Sequence, residues 1–218
     1  MRFRNRREAG RILAARLRYL RGHEPVVLGL PRGGVVVARE VADALYAPLD
    51  ALLVHKIRAP GRPELAIGAV AEPDVVVSNP AIIRTLKLTP AAFSRAARSA
   101  KVELARRAAL YHPGHPPLPV AGQTVVLADD GIATGATVRA AIRVLRARQA
   151  RRIILAVPVA PFEVLRALSP AVDQIACALP LKRMNSVGAW YSDFDEVEDS
   201  EVLRLLMPEP APAGTARP

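Results

Sequence analysis

Two adjacent carboxylates followed by a run of small residues and hydroxyls are the part of this sequence richest in chemistry. Residues 125–137 read VVLADDGIATGAT. The apolar start belongs to a buried strand over 124–128. Asp129 and Asp130 then stand at its carboxyl end, where open α/β sheets bind ligands. Gly131, Thr134, Gly135 and Thr137 form a small-residue turn, and a helix begins at about Gly135. Amides in such a turn converge on a point, and the helix N-terminus adds positive potential there, which makes an anion site sized for a phosphate. Acids beside that cradle would repel a bare phosphate, but they accept hydrogen bonds from a vicinal diol. The pairing suits a ligand with hydroxyls next to its phosphate, as in a phosphorylated ribose. A plain solvated turn accounts poorly for two acids, two hydroxyls and two glycines within nine residues. Competing phosphate motifs are missing: there is no Gly-Lys-Ser/Thr, and no G-x-G-x-x-G after a strand.

The elements that must position this turn follow from pattern. Ile12, Leu13, Leu17 and Leu20 share a face of a first helix, with Asn5 as its cap. A buried strand is expected over 26–30, the LPRGG punctuation at 30–34, a helix over 35–45 and a second strand over 50–57. Pro60, Gly61 and Pro63 mark 58–66 as a loop. Short strands over 67–71 and 75–78 precede a long helix that opens at Thr89-Pro90, a capping threonine before proline at the first helical position. Phe93, Ala97, Ala100, Leu104, Ala108 and Tyr111 are its apolar stripe. A Pro/His-rich connector over 111–119 leaves His112 and His115 exposed. Strands over 124–128, 152–157 and 172–178 then alternate with helices over 135–148 and 161–168. This alternation predicts an α/β fold with a mainly parallel twisted sheet flanked by helices. One domain spans 1–207, with a small hood from about 1–24 and 180–207, and 208–218 is a disordered tail.

Composition narrows the function classes. The chain has 218 residues, 51% of them hydrophobic and 23% charged, enough for a real core. No apolar run approaches the ~20 residues of a membrane span, and no secretory signal is present, so a cytoplasmic protein is expected. Cys177 is the single cysteine, which excludes an internal disulfide and a cysteine-based metal site. The net charge is +11, carried almost entirely by arginine. That charge could serve a nucleic-acid partner, or arginine could be the chain's default surface residue. With aromatics at 4% there is no stacking surface for bases, which favours the second reading. Residues 139–152 hold six arginines and no acid, and residues 193–201 hold six acids and no base. These are either solvated faces or complementary surfaces of two subunits.

VVLADDGIATGAT resembles the phosphoribosyl-pyrophosphate (PRPP) signature of the type I phosphoribosyltransferases. LGLPRGGVVVA at 28–38 is similar to the family's pyrophosphate loop. KIRAPGRPELAIGAVAE at 56–72 and VGAWYSDFDEV at 187–197 resemble a bacterial subfamily described as predicted phosphoribosyltransferases. The resemblance covers about residues 2–206. It implies transfer of ribosyl 5-phosphate from PRPP to a nitrogenous acceptor, a nucleobase or a small amine, with release of pyrophosphate. Asp129 and Asp130 would hold the ribose hydroxyls. Gly131, Ile132, Ala133, Thr134, Gly135, Ala136 and Thr137 would cradle the 5′-phosphate. Pro31, Arg32, Gly33 and Gly34 would face the pyrophosphate through backbone N–H groups and the Arg32 side chain, in a loop that often carries a non-proline cis peptide. Lys56 and Arg58 would stand at the base of a flexible lid over 58–66, in which Glu64 is either catalytic or solvated. Asp129, Asp130, Arg32 and Lys56 form the implied catalytic set. Mg²⁺ would be bound through PRPP, with no protein ligand. Trp190 and Tyr191 would contribute to the acceptor side, or else pack the C-terminal segment onto the core. Ala133 stands where 6-oxopurine members carry an acid, so the loop is more similar to adenine and uracil members. A homodimer is expected. The alternative is a PRPP-sensing regulatory protein of the same fold that binds nucleic acid, although no helix-turn-helix extension is visible.

Overall fold

The computed structural model describes residues 2–114 and 116–207. The expected tail over 208–218 and His115 lie outside the described residues. In chain order the elements are α1 (Arg6–Leu17), β1 (Val26–Gly29), α2 (Gly33–Leu45), β2 (Leu49–Ala51), β3 (Val54–Ala59), β4 (Arg62–Ala71), β5 (Val75–Ser78), α3 (Pro80–Thr85), α4 (Pro90–Tyr111), β6 (Thr124–Ala128), α5 (Ala136–Ala147), β7 (Arg152–Pro161), α6 (Phe162–Leu168), β8 (Gln174–Leu181) and α7 (Asp199–Leu206).

The central sheet has five strands in the order β2-β1-β6-β7-β8, all parallel. Its three inner strands, β1, β6 and β7, are buried on both faces, as in parallel sheets covered by helices. Successive residues alternate between two cores. Val27, Val126 and Ile154 meet α1 and α2 through Leu13, Leu17, Val37, Val41 and Leu45. Val125, Leu127, Ile153 and Leu155 meet α5 and α6 through Val138, Ile142, Leu145 and Leu168. The chain moves outward from β1 to β2 and then returns to the other side of β1 with β6. The strand order therefore reverses between β1 and β6, the topological switch point at which such sheets hold ligands.

The two helix caps expected from sequence are present. Asn5 Oδ1 accepts from Glu8 N at 3.0 Å, and Thr89 Oγ1 accepts from Ala92 N at 3.2 Å with Pro90 in the first turn. The stripe on α4 is buried at Ala97, Ala100, Leu104 and Tyr111.

Several expectations are corrected. The strand expected over 50–57 is two strands in different sheets. Residues 52–53 turn the chain out of the central sheet, so β2 pairs with β1 while β3 begins a separate antiparallel sheet, β3-β4-β5. The segment expected as a loop over 58–66 is mostly the end of a β3–β4 hairpin, with its turn at Pro60 and Gly61. β4 (Arg62–Ala71) is the middle strand, and Pro63 falls in the register shift between the Arg62 and Ala66 pairings, beyond the reach of β5, where a proline is tolerated. Helix α2 starts two residues earlier than expected, because Gly33 and Gly34 form its first turn. Residues 80–85 form the unexpected helix α3.

The segment before α1 meets the segment that follows β8. Phe3 bridges Tyr191, with Phe3 N donating to Trp190 O at 2.9 Å and Ser192 N to Phe3 O at 2.8 Å.

Candidate functional site

Two loops converge at the switch point. After β1, residues 30–32 lead into α2; after β6, residues 129–135 lead into α5. Leu30 N donates to Ala128 O at 2.9 Å, so the loops leave the sheet side by side. Gly34 is needed for this approach, since a Cβ there would lie 2.9 Å from both Ala128 O and Asp129 Cα. A Cβ on Gly33 would run into the Asp130 carboxylate and come within 2.8 Å of Arg6 Nε. The pyrophosphate-type loop and the acidic pair are therefore in direct contact, which sequence spacing cannot reveal. The Pro31–Arg32 peptide is cis, as the resemblance implied.

The amides are arranged for an anion. Among the described residues, the backbone N–H groups of Ala133, Thr134, Gly135, Ala136 and Thr137 donate to no group of the protein, and neither do those of Arg32, Gly33 and Gly34. Five unpaired donors thus precede and open α5, and three more open α2, each set at the positive end of a helix. Gly135 turns the chain into α5 with φ of 73°, a left-handed conformation that suits glycine. Two of the expected contributors are corrected here. The Ile132 amide donates to Val159 O at 2.9 Å and its side chain is buried, so it anchors the turn. Pro31 carries no N–H and cannot donate. Thr134 and Thr137 are exposed at the turn.

The acidic pair is held from several sides. Asp129 Oδ1 accepts from Asp130 N at 2.9 Å. Asp130 Oδ2 accepts from Arg6 Nε at 2.7 Å, with the two side chains 17% and 12% exposed. The remaining oxygen of each acid, Asp129 Oδ2 and Asp130 Oδ1, receives no donor among the described residues. Burial and the neighbouring Asp130 charge push the Asp129 carboxyl well above the usual carboxylate range. Burial also raises Asp130, opposed by the Arg6 guanidinium. Arg6 escaped the sequence reading, because nothing in its local pattern marks it as facing a residue 124 positions away.

The remaining candidates are spread around this centre. Arg32 turns toward the acidic segment, paired with Glu196 and 4.0 Å from Asp199. It also lines a cavity of about 310 Å³ with Pro31, Arg106, Arg107 and Tyr111. Lys56 lines a cavity of about 260 Å³ with Glu64, Asn79, Ala136, Arg139 and Arg143, between the hairpin and the start of α5. Burial lowers its pKa, and Arg58 and Arg139 lower it further. Tyr191 is buried, with ring centroids 5.5 Å from Phe3 and 4.9 Å from Phe194, and its hydroxyl donates to Asp130 O. Its ring is core, and it presents no open face to an acceptor. Trp190 is half-buried at the edge of the same cluster. That segment reaches the turn through Val187, which a Cβ on Gly131 would strike.

The acid-rich segment serves the chain itself. Glu196 and Asp199 face Arg32, Glu201 lies 3.6 Å from Arg7, Asp195 O accepts from Arg6 at 2.8 Å, and Tyr111 donates to Asp199. The expectation that His112 is exposed is overturned. It is buried, with Nδ1 2.7 Å from Glu72 Oε2 and Nε2 2.8 Å from Asp50 Oδ1. This cluster ties β2 to β4 and to the end of α4. Cys177 is half-buried in β8, and burial pushes its thiol up to about 11. No helix among the described residues is long and apolar enough to cross a membrane.

Comparison with known proteins agrees with this geometry. The family described as phosphoribosyl transferase domain matches residues 4–199. Two proteins from Mycobacterium tuberculosis strains, each named "Putative phosphoribosyl transferase", are 44% identical over 204 residues, covering 94% of this chain and 46% of each relative. The chain thus spans about half the length of these curated relatives. The crystal structure of TT1426 from Thermus thermophilus superimposes with a TM-score of 0.87 at 43% identity, covering 94% of this chain and 98% of that one. With a parallel sheet whose switch point carries the acidic pair and both amide-rich loops, this chain belongs to the phosphoribosyl transferase domain family.

Proposed function

We propose that the chain binds PRPP with Mg²⁺ and transfers its ribosyl 5-phosphate to a nitrogenous acceptor, releasing pyrophosphate. The observation that carries this reading is the pair of donor-free carboxylate oxygens on Asp129 and Asp130, immediately before five unpaired amides at the start of α5. A ribose 5-phosphate fits both halves at once, with two hydroxyls for the acids and a phosphate for the amides. The amides of Arg32, Gly33 and Gly34 face the same switch point and suit the pyrophosphate. Arg32 would join them by leaving Glu196, and Lys56 would act from the hairpin side.

Each group has a physical task. Displacement at the anomeric carbon passes through a transition state with oxocarbenium character. Asp129 and Asp130 fix the sugar by its hydroxyls and place negative charge near the developing cation. The two helix N-termini hold the phosphates at opposite ends, so the anomeric carbon lies between them. The β3–β4 hairpin, closing over the site, would exclude water that competes for the cation. The donor set fits Mg²⁺ carried by the ligand: it offers amides to phosphates and free carboxylate oxygens to hydroxyls, leaving the ion to oxygens of PRPP and water. When bound, it neutralises charge on the departing pyrophosphate. The acceptor side is assigned to the segment around Val187 and Trp190, and a homodimer is part of the same proposal. A panel of free bases and small amines, incubated with PRPP and Mg²⁺ and scored for pyrophosphate release, tests the reading. Acceptor-dependent release supports it, and no release with any acceptor counts against it.

A further inference from the structure

The contact that the sequence did not disclose, Arg6 on Asp130, has a consequence for the acidic pair. Two neighbouring carboxylates in a largely enclosed turn share an electrostatic problem. Each charge raises the cost of the other, and both have lost water. Left alone, the pair would hold a proton more readily and offer a weaker acceptor to a diol. Arg6 is placed against this. Its Nε donates to Asp130 Oδ2 at 2.7 Å, its guanidinium carbon lies 3.7 Å from the centroid of the Phe194 ring, and its Nη1 donates to Asp195 O at 2.8 Å. Three partners on three sides leave the guanidinium little freedom. Its backbone is equally fixed, since Arg6 opens α1 directly after the Asn5 cap, and Phe3 is bridged to Tyr191.

The other groups facing Asp130 do not supply a positive charge. Asp129, in the same turn, adds a negative one. Tyr191, from the C-terminal segment, donates its hydroxyl to the Asp130 carbonyl rather than to the carboxylate. At the amino end of α2, Gly33 presents only backbone, and Arg32 is turned to Glu196. Val159 and Val187 close the remaining side of the turn at Gly131. Arg6 is thus the one cation paired with either acid among the described residues.

We infer that Arg6 is a positioning residue: it holds Asp130 as a carboxylate, with Oδ2 occupied and Oδ1 turned free for a ribose hydroxyl. This rests on the proposed PRPP site. It adds that the N-terminal helix sets the charge state of a site built at the far end of β6.

The test uses the full chain as wild type, Arg6→Gln and Arg6→Lys. In the unliganded proteins, ¹³C NMR of the aspartate carboxyls reads the titration of the pair. Arg6→Gln is expected to move the upper step of that titration upward by about one unit or more, as loss of a close opposite charge does, and Arg6→Lys to restore most of it. In parallel, calorimetry with PRPP and Mg²⁺ is run from pH 5 to 9. Arg6→Gln is expected to bind at least tenfold more weakly near pH 6 and to recover toward wild type as pH rises, while Arg6→Lys keeps a near-wild-type profile. An unchanged carboxyl titration in Arg6→Gln would overturn the inference. So would a loss of affinity equal at every pH, which is the mark of a merely structural role. If wild type itself fails to bind PRPP, the site reading falls, and the carboxyl titration still decides the role of Arg6.

Discussion

Replacing Gly33 by alanine places one methyl group between the two halves of the proposed site. Its carbon would overlap Asp130 Oδ2 and lie within 2.8 Å of Arg6 Nε. Both obstacles are side-chain ends, so the backbone can stay, but the Arg6–Asp130 contact cannot keep its geometry. A hydrogen bond between charged groups is worth about 1.5–3 kcal/mol. The pair is 12% and 17% exposed, so solvent takes up part of the loss and a cost of about 1–2 kcal/mol is expected. For a domain of this size that lowers Tm by roughly 2–8 °C. The same displacement turns Asp130 Oδ1 away from the diol. PRPP affinity should therefore fall at least about tenfold, equivalent to about 1.4 kcal/mol. Ribose 5-phosphate should weaken with it, because Gly33 contacts the acid that holds the sugar. Gly34→Ala is the control. There the methyl would meet the backbone at Ala128 and Asp129, which cannot yield, so stability should fall further than in Gly33→Ala. Calorimetry with both ligands, alongside thermal melts, makes the comparison. Wild-type affinity for both ligands in Gly33→Ala would refute the contact between the loops.

Two further outcomes are expected. His112→Gln removes the group between two enclosed acids, a class of change that costs about 3–5 kcal/mol. Asp50 and Glu72 raise the His112 pKa above 6.5 despite its burial, so its contribution is complete below 6.5 and fades as pH rises through the folded value. His112 lowers Asp50 below 3.8, so that contribution is complete above 3.8 and is lost as pH falls through the folded value. The Tm gap between wild type and His112→Gln should therefore shrink from pH 6 to pH 9, and a constant gap would contradict the assignment. Trp190→Ala, at a half-buried residue, should leave PRPP affinity near wild type and weaken a planar heterocyclic acceptor by stacking worth roughly 1–3 kcal/mol. Equal loss of PRPP affinity in a binding titration would make Trp190 part of the core instead.

What could be read from the sequence was whatever short-range pattern determines. The strand over 124–128, the acids at its end and the helix after Gly135 are local, and each lies where periodicity and small residues placed it. The caps at Asn5 and Thr89 are local for the same reason. Contacts between distant segments could not be read. The break between β2 and β3 falls inside one apolar run, ALLV, and only strand pairing separates the halves. His112 looked like a solvated loop residue because its partners, Asp50 and Glu72, are 62 and 40 positions away. The acid-rich segment over 193–201 looked like a free surface until α1, α2 and α4 brought Arg7, Arg32 and Tyr111 to it. For Tyr191 the sequence left acceptor contact and core packing both open, and Phe3 and Phe194, which enclose its ring, decide for packing.

The central claim is that Asp129 and Asp130 hold the ribose hydroxyls of PRPP, and the double variant Asp129→Asn with Asp130→Asn tests it most directly. Amides of the same shape keep the fold, relieve the repulsion between the acids and remove the charged acceptors. Titration calorimetry with PRPP and Mg²⁺ should show binding to wild type and none to the variant, while a cooperative thermal melt shows that the variant is folded. Retained affinity in a folded double variant would contradict the account.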